Sequence, residues 1–269
     1  MNIKQNYKIF YLLFLIVFLI LLSKFAKAES ETNDTLSNNV KPAKQFSIGI
    51  GTVLTNEPYK KIDTKVRVIP FFLYRTEKIL LYGPMMNYSL FKDQSYEIGF
   101  IAKTRFEGYE ENDSDFLQGM DEREWTLEIG GYGSKEFNFG KITADFSTDI
   151  LNRHQGYELK SYYSYTFRNV LKTPGLMISP NVGINYRSNH LNNYYFGVRS
   201  SEVIAGRPEY NAGDSIGLLA GTRINYMFSE KISIMGMISL EWLGDEIKKS
   251  PVVDKNFESS FILGIVYNF

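Results

Sequence analysis

Two histidines, His154 and His190, are the side chains of this sequence best suited to move a proton near neutral pH. His154 lies in Asn152-Arg153-His154-Gln155-Gly156, and His190 in Ser188-Asn189-His190. A hydrolytic triad needs a nucleophile, a base and an orienting acid within hydrogen-bond reach, and Ser188 or Ser200 with Asp149 would supply the missing members. No Gly-x-Ser-x-Gly turn or other activated-nucleophile signature accompanies them, so histidines serving their own loops are the favoured reading. With no cysteine, thiolate catalysis, thiolate metal sites, disulfides and a lipidated cysteine are all excluded. Glu110, Glu111, Asp113, Asp115, Asp121 and Glu122 crowd segment 108–123 and suggest calcium, but EF-hand spacing is absent and a solvated acidic loop is the simpler expectation. No catalytic residue, metal site or cofactor is assigned.

A second set of charges has a clearer spacing. Glu97, Lys103, Arg105, Glu128, Lys160, Arg187, Arg223 and Glu241 each stand at the polar phase of a segment in which every second residue is apolar. Such alternation marks half-buried strands. It runs through Phe46–Leu54, Thr64–Tyr74, Lys78–Leu90, Tyr96–Glu107, Glu124–Ser134, Phe137–Ile150, Tyr157–Arg168, Leu176–Arg187, Ser215–Phe228, Lys231–Trp242 and the C-terminus, where Phe261, Leu263, Ile265, Tyr267 and Phe269 share a face. Several runs reach the ~9–11 residues with which a tilted strand crosses a membrane, longer than the ~5–6 of ordinary strands. In a soluble protein their charges would face water, whereas in a membrane barrel they would fill the interior and pair.

The ends of the runs favour the barrel. Phe106, Trp125, Phe167, Tyr186, Phe228, Trp242, Tyr267 and Phe269 sit where amphipathic rings mark a bilayer interface. Tyr267 and Phe269 are the candidate membrane-insertion terminus. Short turns, expected near 75–77, 92–94, 135–136, 172–175 and 229–230, alternate with long connections at 55–63, 108–123, 188–214 and 244–257. Eleven runs conflict with an even strand count; a hairpin at Tyr82-Gly83-Pro84 makes twelve, and merging an N-terminal run makes ten. The expected fold is a single antiparallel transmembrane β-barrel, all-β, over residues 46–269. Loop 188–214 carries Tyr194, Tyr195, Phe196 and Tyr210, a candidate contact for a partner or ligand, or equally a set of rings packing a lid onto the barrel rim.

What precedes the barrel reads as targeting. Lys4 and Lys8, the apolar run Ile9–Leu22 and Ala26-Lys27-Ala28 form a signal peptide over 1–28, followed by a flexible periplasmic leader over 29–45. The signal segment holds four of the 30 basic residues and no acid, so the remainder has 26 basic against 30 acidic. That balance gives no electrostatic basis for nucleic-acid binding.

Three stretches together resemble the family named for the MltA-interacting protein and the outer-membrane protein OmpV. They are Gly49-Ile50-Gly51 through Asn56-Glu57-Pro58-Tyr59; Asn193-Tyr194-Tyr195-Phe196-Gly197-Val198 through Pro208-Glu209-Tyr210-Asn211-Ala212-Gly213; and Gly244-Asp245, Ser250-Pro251-Val252-Val253 and Gly264-Ile265-Val266-Tyr267-Asn268-Phe269. The resemblance implies a Gram-negative outer-membrane barrel in contact with lipid and lipopolysaccharide. It also implies a non-enzymatic scaffold joining a lytic murein transglycosylase to a penicillin-binding murein synthase. Other members are regarded as adhesins or porin-like proteins. A narrow channel for small solutes is therefore the alternative function, and an outer-membrane hydrolase the third.

Overall fold

The computed structural model describes residues 45–269, so the expected signal peptide and all but the last residue of the expected leader lie outside the described residues. The strands are β1 (Gln45–Asn56), β2 (Lys65–Arg75), β3 (Ile79–Tyr82), β4 (Met85–Lys92), β5 (Tyr96–Arg105), β6 (Thr126–Phe137), β7 (Gly140–Asp149), β8 (Tyr157–Ser164), β9 (Phe167–Arg168), β10 (Leu176–Arg187), β11 (Ser215–Met227), β12 (Ile232–Trp242) and β13 (Phe257–Asn268). Two helices lie in loops, α1 (Asn189–Phe196) and α2 (Asp245–Lys248). Each strand pairs antiparallel with its neighbours, and β13 pairs with β1 from Ser47↔Asn268 to Asn56↔Ser259, which closes the sheet. Strands β8 and β9 share one place beside β10, so the barrel has twelve strands. Their interruption, Tyr165-Thr166, falls beside Pro180, which has no N–H to give a ladder; the Pro180 carbonyl still accepts from the Tyr165 N–H at 3.2 Å.

Burial settles which face is which. Phe46, Ile48, Ile50, Val68, Phe100, Val182, Ile216 and Ile265 point outward and are exposed, while Ser47, Glu128, Ser147, Glu158, Asn185 and Arg187 point inward and are buried. Exposed apolar surface on every strand but the four-residue β3, around a polar interior, is the inverse of a soluble sandwich and the pattern of a barrel in lipid. The ring-bearing strand ends also face outward, with Phe269 72% exposed.

The run Lys78–Leu90 is two strands, reversed at Gly83-Pro84 with Gly83 at φ +52°. The expected reversal at Lys135-Glu136 is displaced: β6 continues to Phe137 and the chain turns at 138–139. Alternation persists through those residues, and Gly140, at φ +143°, takes the backbone into β7. The remaining short turns, 76–78, 93–95, 169–175 and 228–231, lie at the same end as Gln45 and Asn268. Loops 57–64, 106–125, 150–156, 188–214 and 243–256 lie at the other.

Inward-facing Gly130 allows β6 and β7 to approach, since a Cβ there would sit 1.7 Å from the Phe146 carbonyl oxygen. Gly130→Val is expected to destabilise the barrel by at least ~1–3 kcal/mol. Heat-modifiable gel migration would report this as a reduced folded fraction.

Candidate functional site

Strand register builds an ion cluster inside the outer half of the barrel. Lys103 pairs across with Glu128, Asp145 with Lys160, and Glu158 with Arg187, so alternate inward positions bring opposite charges side by side. Arg105 reaches three carboxylates: Nε to Glu128 Oε1 at 2.6 Å, Nη1 to Glu107 Oε2 at 2.8 Å and Nη2 to Glu158 Oε2 at 2.9 Å. Lys103 Nζ lies 3.2 Å from both Asp145 and Glu158, and Lys160 Nζ lies 3.0 Å from Glu158. Arg187 completes the circuit to Glu107 at 2.9 Å and to Glu241 at 3.0 Å. Its Nε stands 3.4 Å from Glu158 Oε1 without hydrogen-bond alignment, so that contact is charge attraction alone. Six of the eight charges singled out by alternation meet here. Glu97 lies apart, accepting from Ser89 at 2.6 Å and Tyr132 at 2.7 Å, and Arg223 stands 5.9 Å above the Tyr82 ring.

The hub, Glu158, stands at the polar phase of the run Tyr157–Arg168, whereas the bridging Glu107 is not among the charges marked by that phase. Glu107 closes the run Tyr96–Glu107 at the phase of Arg105, two residues beyond the end of β5, so the same alternation reaches it.

His154 is buried against this cluster. Its Nδ1 accepts the Gly156 N–H at 3.0 Å, which leaves the proton on Nε2, 3.2 Å from Glu128 Oε1. Both ring nitrogens are thereby used, so the ring has no free lone pair with which to activate a serine. Asp149 accepts from the backbone N–H groups of Leu151, His154 and Gln155, shaping loop 150–156 rather than orienting the imidazole. Ser188 Oγ accepts from the Tyr157 N–H at 2.9 Å, and His190 is exposed on α1.

Above the ions the long loops fold into a cap with its own apolar core. Tyr59, Tyr109, Leu117, Leu191, Tyr195, Phe196, Ile247 and Val252 are buried in one cluster contributed by four loops. Tyr59 meets Tyr109 edge-on at 4.7 Å and stacks on Phe196 at 5.6 Å. Burial pushes the Tyr195 hydroxyl far up, as expected for a phenol inside this core. That hydroxyl donates to the Glu124 carbonyl, and Tyr194 accepts from the Glu124 N–H. Tyr210 donates to the Glu246 carbonyl at 2.7 Å. The structure thus turns the aromatics of loop 188–214 inward, and Val203 and Ile204 are the large apolar side chains the loop leaves exposed.

Two arginines tie loop 188–214 to loop 106–125. Arg123 Nη2 holds both Glu202 oxygens at 2.9 Å, and Arg207 donates to the carbonyls of Phe116, Gln118 and Glu202. Burial pushes the Glu202 carboxyl up, but the Arg199 N–H and the Arg123 guanidinium outweigh it and hold the group below the ordinary range. Three of the acidic residues of 108–123 go to separate partners: Asp113 to Lys65, Asp121 to Arg199, and Glu111 to the Gly119 N–H. Below the cap a cavity of about 440 Å³ remains, its lining including Lys160, Tyr162, Arg223, Glu241 and Glu258.

Two outcomes test this arrangement. Glu158→Leu strands buried cations and is expected to cost ~3–5 kcal/mol, measurable as a shift of the urea midpoint in micelles. Glu202 stabilises the cap fully above the ordinary carboxylate range, and this contribution is lost as pH falls through its lowered value. Pepsin cleavage within 188–214 is therefore expected to rise across that interval, and to be high throughout it in Glu202→Gln.

Residues 48–269 match the profile of the family described as MltA-interacting protein MipA. The MltA-interacting protein of Escherichia coli K12 is 27% identical over 229 residues, covering 84% of this chain and 90% of its own. Outer membrane protein Omp26La of Vibrio anguillarum is 29% identical and OmpV of Vibrio cholerae 25%, each covering 84% of this chain and 87% of its own. Among solved structures, an outer membrane channel of Pseudomonas putida F1 aligns at TM-score 0.43 and 8% identity, over 88% of this chain and 100% of that one. The NanC porin aligns at TM-score 0.38 and 9% identity, over 83% and 98%. The twelve-stranded barrel, its lipid-facing belt and the match over residues 48–269 agree: the chain belongs to the MipA family of outer-membrane proteins.

Proposed function

We propose that the protein is a non-enzymatic scaffold of the outer membrane, a barrel that anchors a murein hydrolase and a murein synthase at the inner face of the membrane. The observation that carries this reading is the filled outer lumen. Arg105, Glu128, Glu158 and Arg187 are buried in mutual contact, and the loop cap seals them from outside. A rigid, plugged barrel suits a fixed platform better than a conduit. The partner class follows the name carried by the Escherichia coli relative. The outward belt is in contact with membrane lipid, and the outer rim with lipopolysaccharide.

The periplasmic turns would carry the contact. Turn 169–175 is the longest of the described ones, and it holds Asn169, Leu171 and Lys172 at φ +50°, +54° and +57°. Non-glycine residues in that region cost energy and cluster at functional sites. Leu171, 76% exposed at the tip, is an apolar anchor without an internal role. Affinity capture from crosslinked envelopes is expected to recover a lytic transglycosylase with the folded protein, reduced about tenfold by Leu171→Ser. Recovery of no murein enzyme above background would overturn the scaffold.

A narrow channel is the second reading, favoured by the cavity of about 440 Å³ beneath the cap. It requires the cap to move. Liposomes bearing Arg123→Ala protein, whose cap has lost its tie to Glu202, should then admit small sugars faster than those bearing the parent; equal rates would count against it.

A further inference from the structure

The barrel wall has a window. β3 covers its neighbour β2 only at Leu73–Arg75, and the last rung between them is the Gly83 N–H to the Phe72 carbonyl at 2.9 Å. Among the described residues, nothing pairs with Lys65–Phe71 on that side. Since Phe72 directs its carbonyl to β3, alternation directs the backbone polar groups of Val66, Val68 and Pro70 into the gap. Across it, the last rung from β5 is the Thr104 N–H to the Pro84 carbonyl at 3.1 Å, with Phe106 beyond. Lys65, bound to Asp113 at 3.0 Å, closes the top, and Gly83-Pro84 forms the sill. Gly83 itself is buried, yet a Cβ added to it would meet nothing within 4 Å, so unfilled space adjoins the sill.

The window opens on the lipid-facing side, at the outer margin of the belt where Phe106 lies. Val66 is 54% exposed, Val68 67% and Phe106 61%, all on the outward face. Hydrocarbon cannot satisfy the N–H and C=O groups of Val66 and Val68, and an open sheet edge facing lipid survives only beside protein or a water-filled cavity. An added peptide strand suits the edge poorly, because Pro70 lacks the N–H that a ladder needs and is a residue with which edges are protected from pairing. A second copy fits no better. Related by an axis along the membrane normal, two β2 strands would both descend and, tilted by ~35–45° each, would cross instead of laddering. Water from the lumen therefore wets the edge while lipid meets its lips.

A cation stands at this boundary. Arg67 points inward opposite Val53, is exposed, and has no hydrogen bond or ion pair among the described residues. Glu57, whose charge it feels, is already held by Lys65 at 2.9 Å. Below it the inner wall is apolar at Ile69, Phe71 and Ile101. We propose that the window is a lipid-side entrance to the lumen for a single-chain amphiphile with a carboxylate head. Val66, Val68 and Phe106 receive the chain, and Arg67 with the wetted edge receives the carboxylate.

The test uses the full chain, folded in nanodiscs and checked by heat-modifiable migration, with dodecanoate carrying a terminal diazirine as probe. Photolabelling is expected to concentrate at 66–71, Pro84 and Phe106 and to be competed by excess dodecanoate. It should fall about tenfold in Arg67→Ala or with the matching alcohol probe, and return in Arg67→Lys. Labelling spread evenly over the belt, at Ile142 and Phe146 as much as at Val68, would overturn the proposal. So would window labelling indifferent to Arg67 and to the head group, or a polypeptide strand found crosslinked along β2.

Discussion

Charges sealed inside a membrane barrel must neutralise one another, and this requirement organises the outer half of the molecule. Arg105 alone joins β5 to β6, to β8 and to the loop residue Glu107, and Arg187 extends the same circuit to β10 and β12. Removing any member leaves its partners buried and uncompensated, which is the costly event. The strands that carry the cluster are therefore held in one relative register. The cap rests on that platform: His154 touches Glu128 from above, and its ring lies 6.0 Å from that of Tyr195 in the cap core.

A lumen closed from outside but open through its wall changes how scaffold and channel relate. The cap and the ions obstruct the axial path, whereas the short β3–β4 hairpin leaves a lateral one. Both follow from unequal element lengths: loops 106–125 and 188–214 are long enough to fold over the mouth, and β3, at four residues, is too short to complete the wall. A platform for periplasmic enzymes and a lipid-side binding site are compatible uses of one barrel because they occupy different surfaces.

Much of the barrel is written locally. Period-two alternation located every long strand because each inward residue has an outward neighbour in lipid, and Tyr82-Gly83-Pro84 betrayed the extra reversal because only a turn accommodates that pair within an apolar run. The displaced turn at 138–139 was less legible, since Lys135-Glu136 looks like a polar turn but continues the inward–outward phase of β6. Lumen charges were readable as a class, but their partners were not: Arg187 and Glu107 meet over 80 residues of separation, and no local pattern announces that. The cap was the least legible part. Tyr59, Tyr109, Phe196 and Val252 come from four loops without periodicity, and only tertiary packing identifies them as one core.

Planar-bilayer recording of the purified, folded full chain tests the filled lumen most directly. With the ion cluster and cap in place, the protein is expected to show no steady open level at physiological salt. A stable porin-like conductance from the unmodified protein would contradict a sealed outer lumen and, with it, the reading of this barrel as a plugged platform.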